Sequence, residues 1–275
     1  DDYIEVLHKF EGQDINSSGW DYTSSSSDIT ISFWFRCSTN QTFYADLRSR
    51  DGTSYIYSFS FTATGNNTWT KITKTISGNS NVQIDNDTGN GLDFRIRVYF
   101  GSDNTDSITL NQWRTYSNSS QTPNMDSTWI TAGASTFDVT GFQLEAGSQA
   151  TAFEHRSYGD ELLRCQRYYY RANQGSDSGE RPIALGTYET SSAVTTTIRF
   201  PDMRTSPSID VTDSSNAFMI RRENASDSFD TFTLRYSRVN SAEIVASSGV
   251  SGTAGVSGMV RSSGASTHLS FSAEF

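Results

Sequence analysis

Apolar residues recur at every second position along most of this chain, and a helical spacing appears once. Ile29, Ile31, Phe33, Phe35 and Cys37 alternate with Thr30, Ser32, Trp34 and Arg36. In an extended strand, successive side chains point to opposite faces, so this pattern gives one buried and one solvated face. Tyr55, Tyr57, Phe59 and Phe61 repeat it, as do Phe94, Ile96, Val98 and Phe100 with Arg95, Arg97 and Tyr99 opposite. Further strands are predicted at Trp69–Ile76, Ile108–Trp113, Trp129–Ala132 and Phe137–Leu144. Loops rich in Asn, Gly and Ser separate them, as in an all-β sandwich with jelly-roll or Greek-key connections. The first domain is therefore expected over residues 1–152.

The helical spacing lies in Tyr158–Arg171, where Tyr158, Leu162, Cys165 and Tyr169 form an apolar stripe and Ser157 with Asp160 forms an N-terminal capping pair. Residues 153–172 are read as a linking helix packed against a domain or a second copy. Asn173–Arg181 is a polar linker. A smaller C-terminal β domain is expected over 173–275, with strands at Ile183–Tyr188, Val194–Phe200, Ser208–Thr212, Ala217–Arg221, Phe229–Tyr236, Ala242–Ala246 and Leu269–Phe275. Ser247–Thr267, dominated by Gly and Ser, reads as a long loop or hairpin tip, or as a receptor-contacting loop.

Composition narrows the functional classes. Only 35% of the 275 residues are hydrophobic, yet 17 Phe and 13 Tyr are present, which suits thin aromatic cores between sheets. A net charge of −10 and no basic stripe disfavour nucleic-acid binding. No apolar run is long enough to span a bilayer as a helix. The chain opens on Asp1-Asp2-Tyr3 rather than Met, as expected of the distal part of a longer polypeptide or a processed product. Two cysteines, Cys37 and Cys165, make no disulfide framework and are read as free buried thiols.

One stretch, Phe137–Tyr169, concentrates distinctive residues: Gly141, Gln143-Leu144-Glu145, Gly147, Ala150-Thr151, Phe153-Glu154, Arg156, Gly159, Glu161-Leu162 and Cys165-Gln166-Arg167-Tyr168-Tyr169. It resembles a signature of bacteriophage tail-fibre and virion structural proteins. Ser157 departs from that pattern, which often has Pro after the Arg. Phe200-Pro201, Met203–Pro207 and Phe271–Phe275 resemble the same family's C-terminal domain more loosely. The resemblance implies a carbohydrate-binding-module-like β-sandwich, assembly in a bacterial cytoplasm, a place on the tail or head of a virion, contacts with other virion proteins, and a homotrimer. Contacts between copies or domains would then involve Tyr158, Leu162, Cys165, Tyr168 and Tyr169.

Catalysis finds little support. His8, His155 and His268 form no zinc-protease pattern and stand beside no obvious nucleophile, and no phosphate loop or dinucleotide fingerprint occurs. Glu154 with Asp160 or Glu161 could be imagined as a glycosidase dyad, but helix capping and ion pairing explain these acids. A non-enzyme that adheres to a host-surface glycan or protein is expected. A capsid or tail decoration protein is the second reading and a glycan-degrading tailspike the third. For binding, Trp34 and Arg36 share a strand face, with Arg95, Arg97 and Tyr99 on a neighbouring strand; sugars stack on such aromatic faces beside hydrogen-bonding groups. The alternative is that both faces of this sheet are covered. Asp85-Asn86-Asp87-Thr88-Gly89-Asn90-Gly91 has the oxygen spacing of a short Ca²⁺ loop, or is an ordinary connection. No cofactor is required.

Overall fold

The computed structural model describes residues 2–173, 179–223, 225–264 and 266–275. Among the described residues the fold is all-β with three short α-helices, and the chain divides into two compact units, residues 1–155 with Phe275, and Arg156–Glu274. The linking helix thus groups with the second unit. Residues 174–178 of the expected linker lie outside the described residues.

The first unit contains β1 (Tyr3–Glu11), α1 (Gly12–Ser17), β2 (Asp28–Cys37), β3 (Asn40–Ser49), β4 (Tyr55–Thr64), β5 (Thr70–Ser77), β6 (Asn90–Phe100), β7 (Trp113–Thr115), α2 (Thr128–Thr131) and β8 (Phe137–Ala146). They form a five-stranded sheet ordered β1-β6-β3-β4-β7 and a three-stranded sheet ordered β5-β2-β8. The chain crosses repeatedly between the sheets, as in a jelly roll, and every ladder is antiparallel. Alternation builds the core directly. Phe33 and Phe35 of β2 meet Phe61 of β4 at ring separations of 5.4 and 4.9 Å, and Phe33 meets Phe94 of β6 at 6.0 Å.

Two expectations in this unit are corrected. Trp129 lies in the helical turn α2, because its backbone N–H is taken by the Gln41 side chain at 2.8 Å rather than by a sheet neighbour. Of Ile108–Trp113 only Trp113 enters a strand; the Asn111 N–H instead bonds the Ser58 carbonyl at 2.8 Å, with Asn111 at φ 63°. β1 and β3 are further strands outside those expected; in β3 Phe43, Ala45 and Leu47 alternate with Tyr44, Asp46 and Arg48.

The second unit contains α3 (Tyr158–Gln166), β9 (Tyr169–Arg171), β10 (Arg181–Thr190), β11 (Ala193–Arg199), β12 (Ser208–Val211), β13 (Phe218–Arg222), β14 (Ala225–Phe229), β15 (Thr233–Arg238), β16 (Ser241–Ala246), β17 (Ser257–Ser262) and β18 (Leu269–Ser272). A seven-stranded sheet, β14-β13-β17-β10-β11-β16-β15, packs on a three-stranded one, β12-β18-β9, around Phe200, Phe218, Phe229, Phe232 and Phe271. Ser157 caps α3 as expected, accepting the Asp160 N–H at 3.2 Å and donating to its carboxylate at 2.6 Å. The helix ends at Gln166 rather than Arg171 because Tyr169–Arg171 pair with β18, a tertiary ladder that overrides local periodicity. Arg204 of the short Met203–Pro207 motif bonds the Ala273 carbonyl at 2.9 Å, just beyond β18.

The Gly/Ser segment is not simply a loop. Ser257–Ser262 is an inner strand between β13 and β10, and glycine there serves close packing: a Cβ on Gly258 would stand 2.5 Å from the Arg221 carbonyl oxygen. The connection before it is tied down, with Gly252 N–H on the Ser191 carbonyl and Ser251 N–H on Asp227, both at 2.8 Å.

Candidate functional site: an aromatic outer sheet face

The outer face of the β5-β2-β8 sheet is built from the residues of β2 that the core does not use. Thr30, Ser32, Trp34 and Arg36 line its centre, with Thr75, Thr73 and Lys71 beside them on β5, and Glu145, Gln143, Thr140 and Asp138 on β8. A bulge in β8 opposite Phe33 shifts the register between Ser32 and Trp34, and Gly141 sits in it at φ 61°. A Cβ there would stand 3.1 Å from Trp34 Cδ1, so glycine allows both the bulge and the resting place of the indole.

The chain after β8 folds back over part of this face, and the signature residues hold it there. Thr30 donates to the Gly147 carbonyl at 2.7 Å and Thr75 to the Ser148 carbonyl at 3.1 Å. Glu145 accepts the Thr151 N–H at 3.1 Å, and Gln143 donates to the Thr151 hydroxyl at 3.1 Å while accepting the Glu154 N–H at 2.9 Å. Two residues apart on one strand, Gln143 and Glu145 reach the same strap. Burial opposes the Glu145 charge, but the bonds from Thr151 and Gln143, with Lys71 nearby, hold its pKa below the usual value.

Beside the strap the face stays open. Trp34, Trp69 and Phe153 are each about 40% exposed, large apolar side chains that the unit leaves in water. The Arg36 guanidinium lies over the Trp69 ring, 5.0 Å from its centroid, and pairs with Asp138 at 2.9 Å. Aromatic planes flanked by a fixed donor–acceptor pair can stack on an apolar ligand face and hydrogen-bond its hydroxyls.

Trp34 and Arg36 are therefore brought together on an open face, whereas Arg95, Arg97 and Tyr99 lie elsewhere. β6 belongs to the opposite sheet, so its outward residues point away from those of β2. Arg95 and Arg97 are buried, and Asp46 joins them: Arg95 Nε donates to Asp46 Oδ1 at 2.9 Å and Arg97 Nε to Oδ2 at 2.7 Å. Arg97 also pairs with Glu5 and donates to Gln121 at 2.8 Å. Burial opposes the Arg95 charge, but Asp46, then Asp93 and Glu5, outweigh it and raise its pKa. This pair forms a structural ion cluster rather than a binding surface. Sequence reasoning also missed Trp69, Asp138 and Phe153. Parity with Lys71 on β5 would have given Trp69; Phe153 lies beyond the strand, where periodicity has no reach.

The Asp85–Gly91 loop is used by α1. Gly12 N–H bonds the Gly89 carbonyl at 2.9 Å, Gln13 N–H the Asp87 carbonyl at 2.8 Å, and Asn16 the Asp85 carbonyl at 3.3 Å. The Asp87 carboxylate accepts the Gly89 N–H at 2.8 Å. Among the described residues no group of three or more His, Cys, Asp or Glu is placed to hold a metal ion.

Of the residues expected at contacts between copies or domains, Tyr158, Leu162 and Cys165 lie on α3, in which no residue is buried. Tyr169 belongs to β9 and donates to Ser270 at 2.7 Å, and the Tyr168 carbonyl accepts the Ala273 N–H at 2.8 Å. Both cysteines are free; Cys37 is buried, but Cys165 is exposed, against expectation.

His268 does have a hydroxyl neighbour: Nδ1 is 2.9 Å from Thr212 Oγ1 and Nε2 is 3.1 Å from Asp210. The order resembles a hydrolytic triad, yet Thr212 Oγ1 also accepts the His268 N–H at 2.8 Å, and the three residues join adjacent strand ends. That arrangement pins the β12–β18 ladder. Asp160 is engaged in capping and Glu161 lies 3.5 Å from Arg156.

No protein-family model matches the chain, and no curated protein matches it. No helix among the described residues is long and apolar enough to cross a membrane.

Proposed function

We propose that this chain is a non-enzymatic virion protein of the tail-fibre type, which attaches to a glycan on the host surface through the face formed by Trp34, Arg36, Trp69, Asp138 and Phe153. The observation that carries the reading is the clustering of three exposed aromatic side chains, Trp34 on β2 with Trp69 just before β5 and Phe153 just after β8, beside an oriented Arg–Asp pair. Sugar rings present C–H faces that stack on such planes and hydroxyls that such a pair can bond. The resemblance of Phe137–Tyr169 supplies the virion context, and association of copies would let weak sites act together.

The test is binding of the purified chain to polysaccharide from a susceptible host, and its competition with infection. Trp34→Ala is expected to weaken binding about tenfold or more, the scale of losing one stacking contact. Binding unchanged by Trp34→Ala and by Trp69→Ala together would overturn the assignment of the site. A second reading, a capsid or tail decoration protein bound to other virion subunits, is favoured by α3, whose exposed Tyr158, Leu162 and Leu163 suit a protein partner better than a sugar.

A further inference from the structure

Sheet edges expose unpaired backbone groups and are normally blunted by shortness, charge or bulges. In this chain β7, β9 and β12 are three or four residues long, β14 is five residues long and carries Asp227, β5 carries Lys71 and Lys74, β15 carries Arg235 and Arg238, and β8 is bulged at Gly141 and flanked by its strap. The edge strand β1 differs. It is nine residues long, pairs with β6 on one side, and leaves Tyr3, Ile4, Val6 and Leu7 each more than 40% exposed.

We infer that β1 pairs antiparallel with β1 of a second copy about a two-fold axis at Leu7, joining two five-stranded sheets into one. The occupant follows from the strand's charges. Residues opposed across a ladder share a face, so only registers that match odd with odd positions keep the central segment's faces aligned. Centred on Leu7, the pairing sets Glu5 against Lys9 of the second copy, and Lys9 against its Glu5, so that both charge pairs are favourable. Centring on Val6 instead leaves Glu5 opposite leucine and Lys9 opposite tyrosine. Glu5 already contacts Arg97, and a lysine beyond it would complete the row of alternating charge. Lys9 gives one bond to the Phe275 carbonyl at 3.3 Å and retains donors for a carboxylate. Leu7 would meet Leu7, and Val6 would meet His8.

This pairing is independent of the glycan reading, and cross-linking tests it. In the full chain with the exposed Cys165 replaced by serine, Leu7→Cys is expected to give disulfide-linked dimer as the main product of mild oxidation, because position 7 faces itself. Val6→Cys alone is expected to give little, whereas a mixture of Val6→Cys and His8→Cys chains should cross-link. Leu7→Lys should weaken self-association in sedimentation about tenfold or more, with unchanged indole fluorescence showing that the fold survives. Leu7→Cys cross-linking no better than the exposed loop control Ser25→Cys, or Val6→Cys coupling to itself as readily, would overturn the pairing. So would a monomer at all concentrations, or association that Leu7→Lys leaves unchanged, which would point to another surface or a different occupant of the edge.

Discussion

Replacing Asp46 by asparagine keeps the shape of the side chain but removes the charge that two arginines share. The Arg95 and Arg97 side chains are 6% and 1% exposed and Asp46 is fully buried, so the change leaves Arg95 without its ion-pair partner and Arg97 with Glu5 alone, in a site largely closed to water. Breaking a buried pair by removing one partner costs about 3–5 kcal/mol. For a domain of this size each kcal/mol moves the midpoint by about 2–4 °C, so the expected fall in Tm is about 6–20 °C. All five tryptophans, Trp20, Trp34, Trp69, Trp113 and Trp129, lie in the first unit, so indole fluorescence during heating follows that unit alone. The comparison is Arg36→Ala, which breaks an ion pair whose side chains are 41% and 45% exposed. Exposed pairs contribute about 0–1 kcal/mol, so that shift should stay below about 4 °C. Equal shifts in the two variants would refute the argument that burial sets the worth of this cluster. A variant with Asp46, Arg95 and Arg97 all replaced by fitted apolar residues should recover much of the loss, because no charge is then stranded.

Two further outcomes follow from the geometry. Gly141→Ala forces an L side chain into φ 61° against the Trp34 ring and should cost about 1–2 kcal/mol, read as a lower urea midpoint by indole fluorescence; an unchanged midpoint would mean the bulge is not held in that conformation. In the second unit, burial and then the hydrogen bond to Asp227 push the Tyr188 pKa up to about 12. A raised pKa means its share of stability is full below the ordinary value of 10.0 and is lost as pH rises through about 12. Burial also raises Tyr44 and Tyr57, so absorbance titration should show several late-ionising tyrosines, one of which disappears in Tyr188→Phe; a late amplitude unchanged by that substitution would count against the buried phenol.

Strand existence was legible wherever the buried face was filled with large apolar residues at strict alternation, as in β2, β4 and β6. It failed at β3, where small and polar residues dilute the apolar face and a fully buried carboxylate sits on the other. β3 carries Asp46 between Ala45 and Leu47, and the carboxylate is tolerated there only because Arg95 and Arg97 come from a strand about fifty residues away. Nothing local announces such compensation. β17 failed for the opposite reason: Gly258 looks like a loop residue until Arg221 and Ile220 are seen to fill the space a side chain would have taken. In both cases the deciding partner is distant in sequence, so a window of ten residues could not supply it.

The candidate site shows the same division more sharply. Period two assigns a residue to a face of its strand, and on that basis Trp34 and Arg36 were placed together and opposite Phe33 and Phe35. Period two does not say which sheet a strand joins. In a two-sheet sandwich, strands of either sheet show identical alternation, since each has its apolar face turned to the same core. Assigning β6 to the neighbourhood of β2 therefore carried Arg95, Arg97 and Tyr99 to the wrong side of the unit, although their orientation away from the core was right. The residues that complete the face, Trp69, Asp138 and Phe153, come from the three segments that flank or cover β2. What would have selected them is pairing information, and the chain does carry some: Asp138 can meet Arg36 only if β8 runs antiparallel to β2 in the register that also sets Gln143 opposite Ser32. Because Gln143 and Glu145 then face the strap they hold, the signature segment fixes the sheet to which Trp34 belongs. Apart from Phe153, which joins the aromatic face, its distinctive residues shape the edge of that face rather than forming its contact surface.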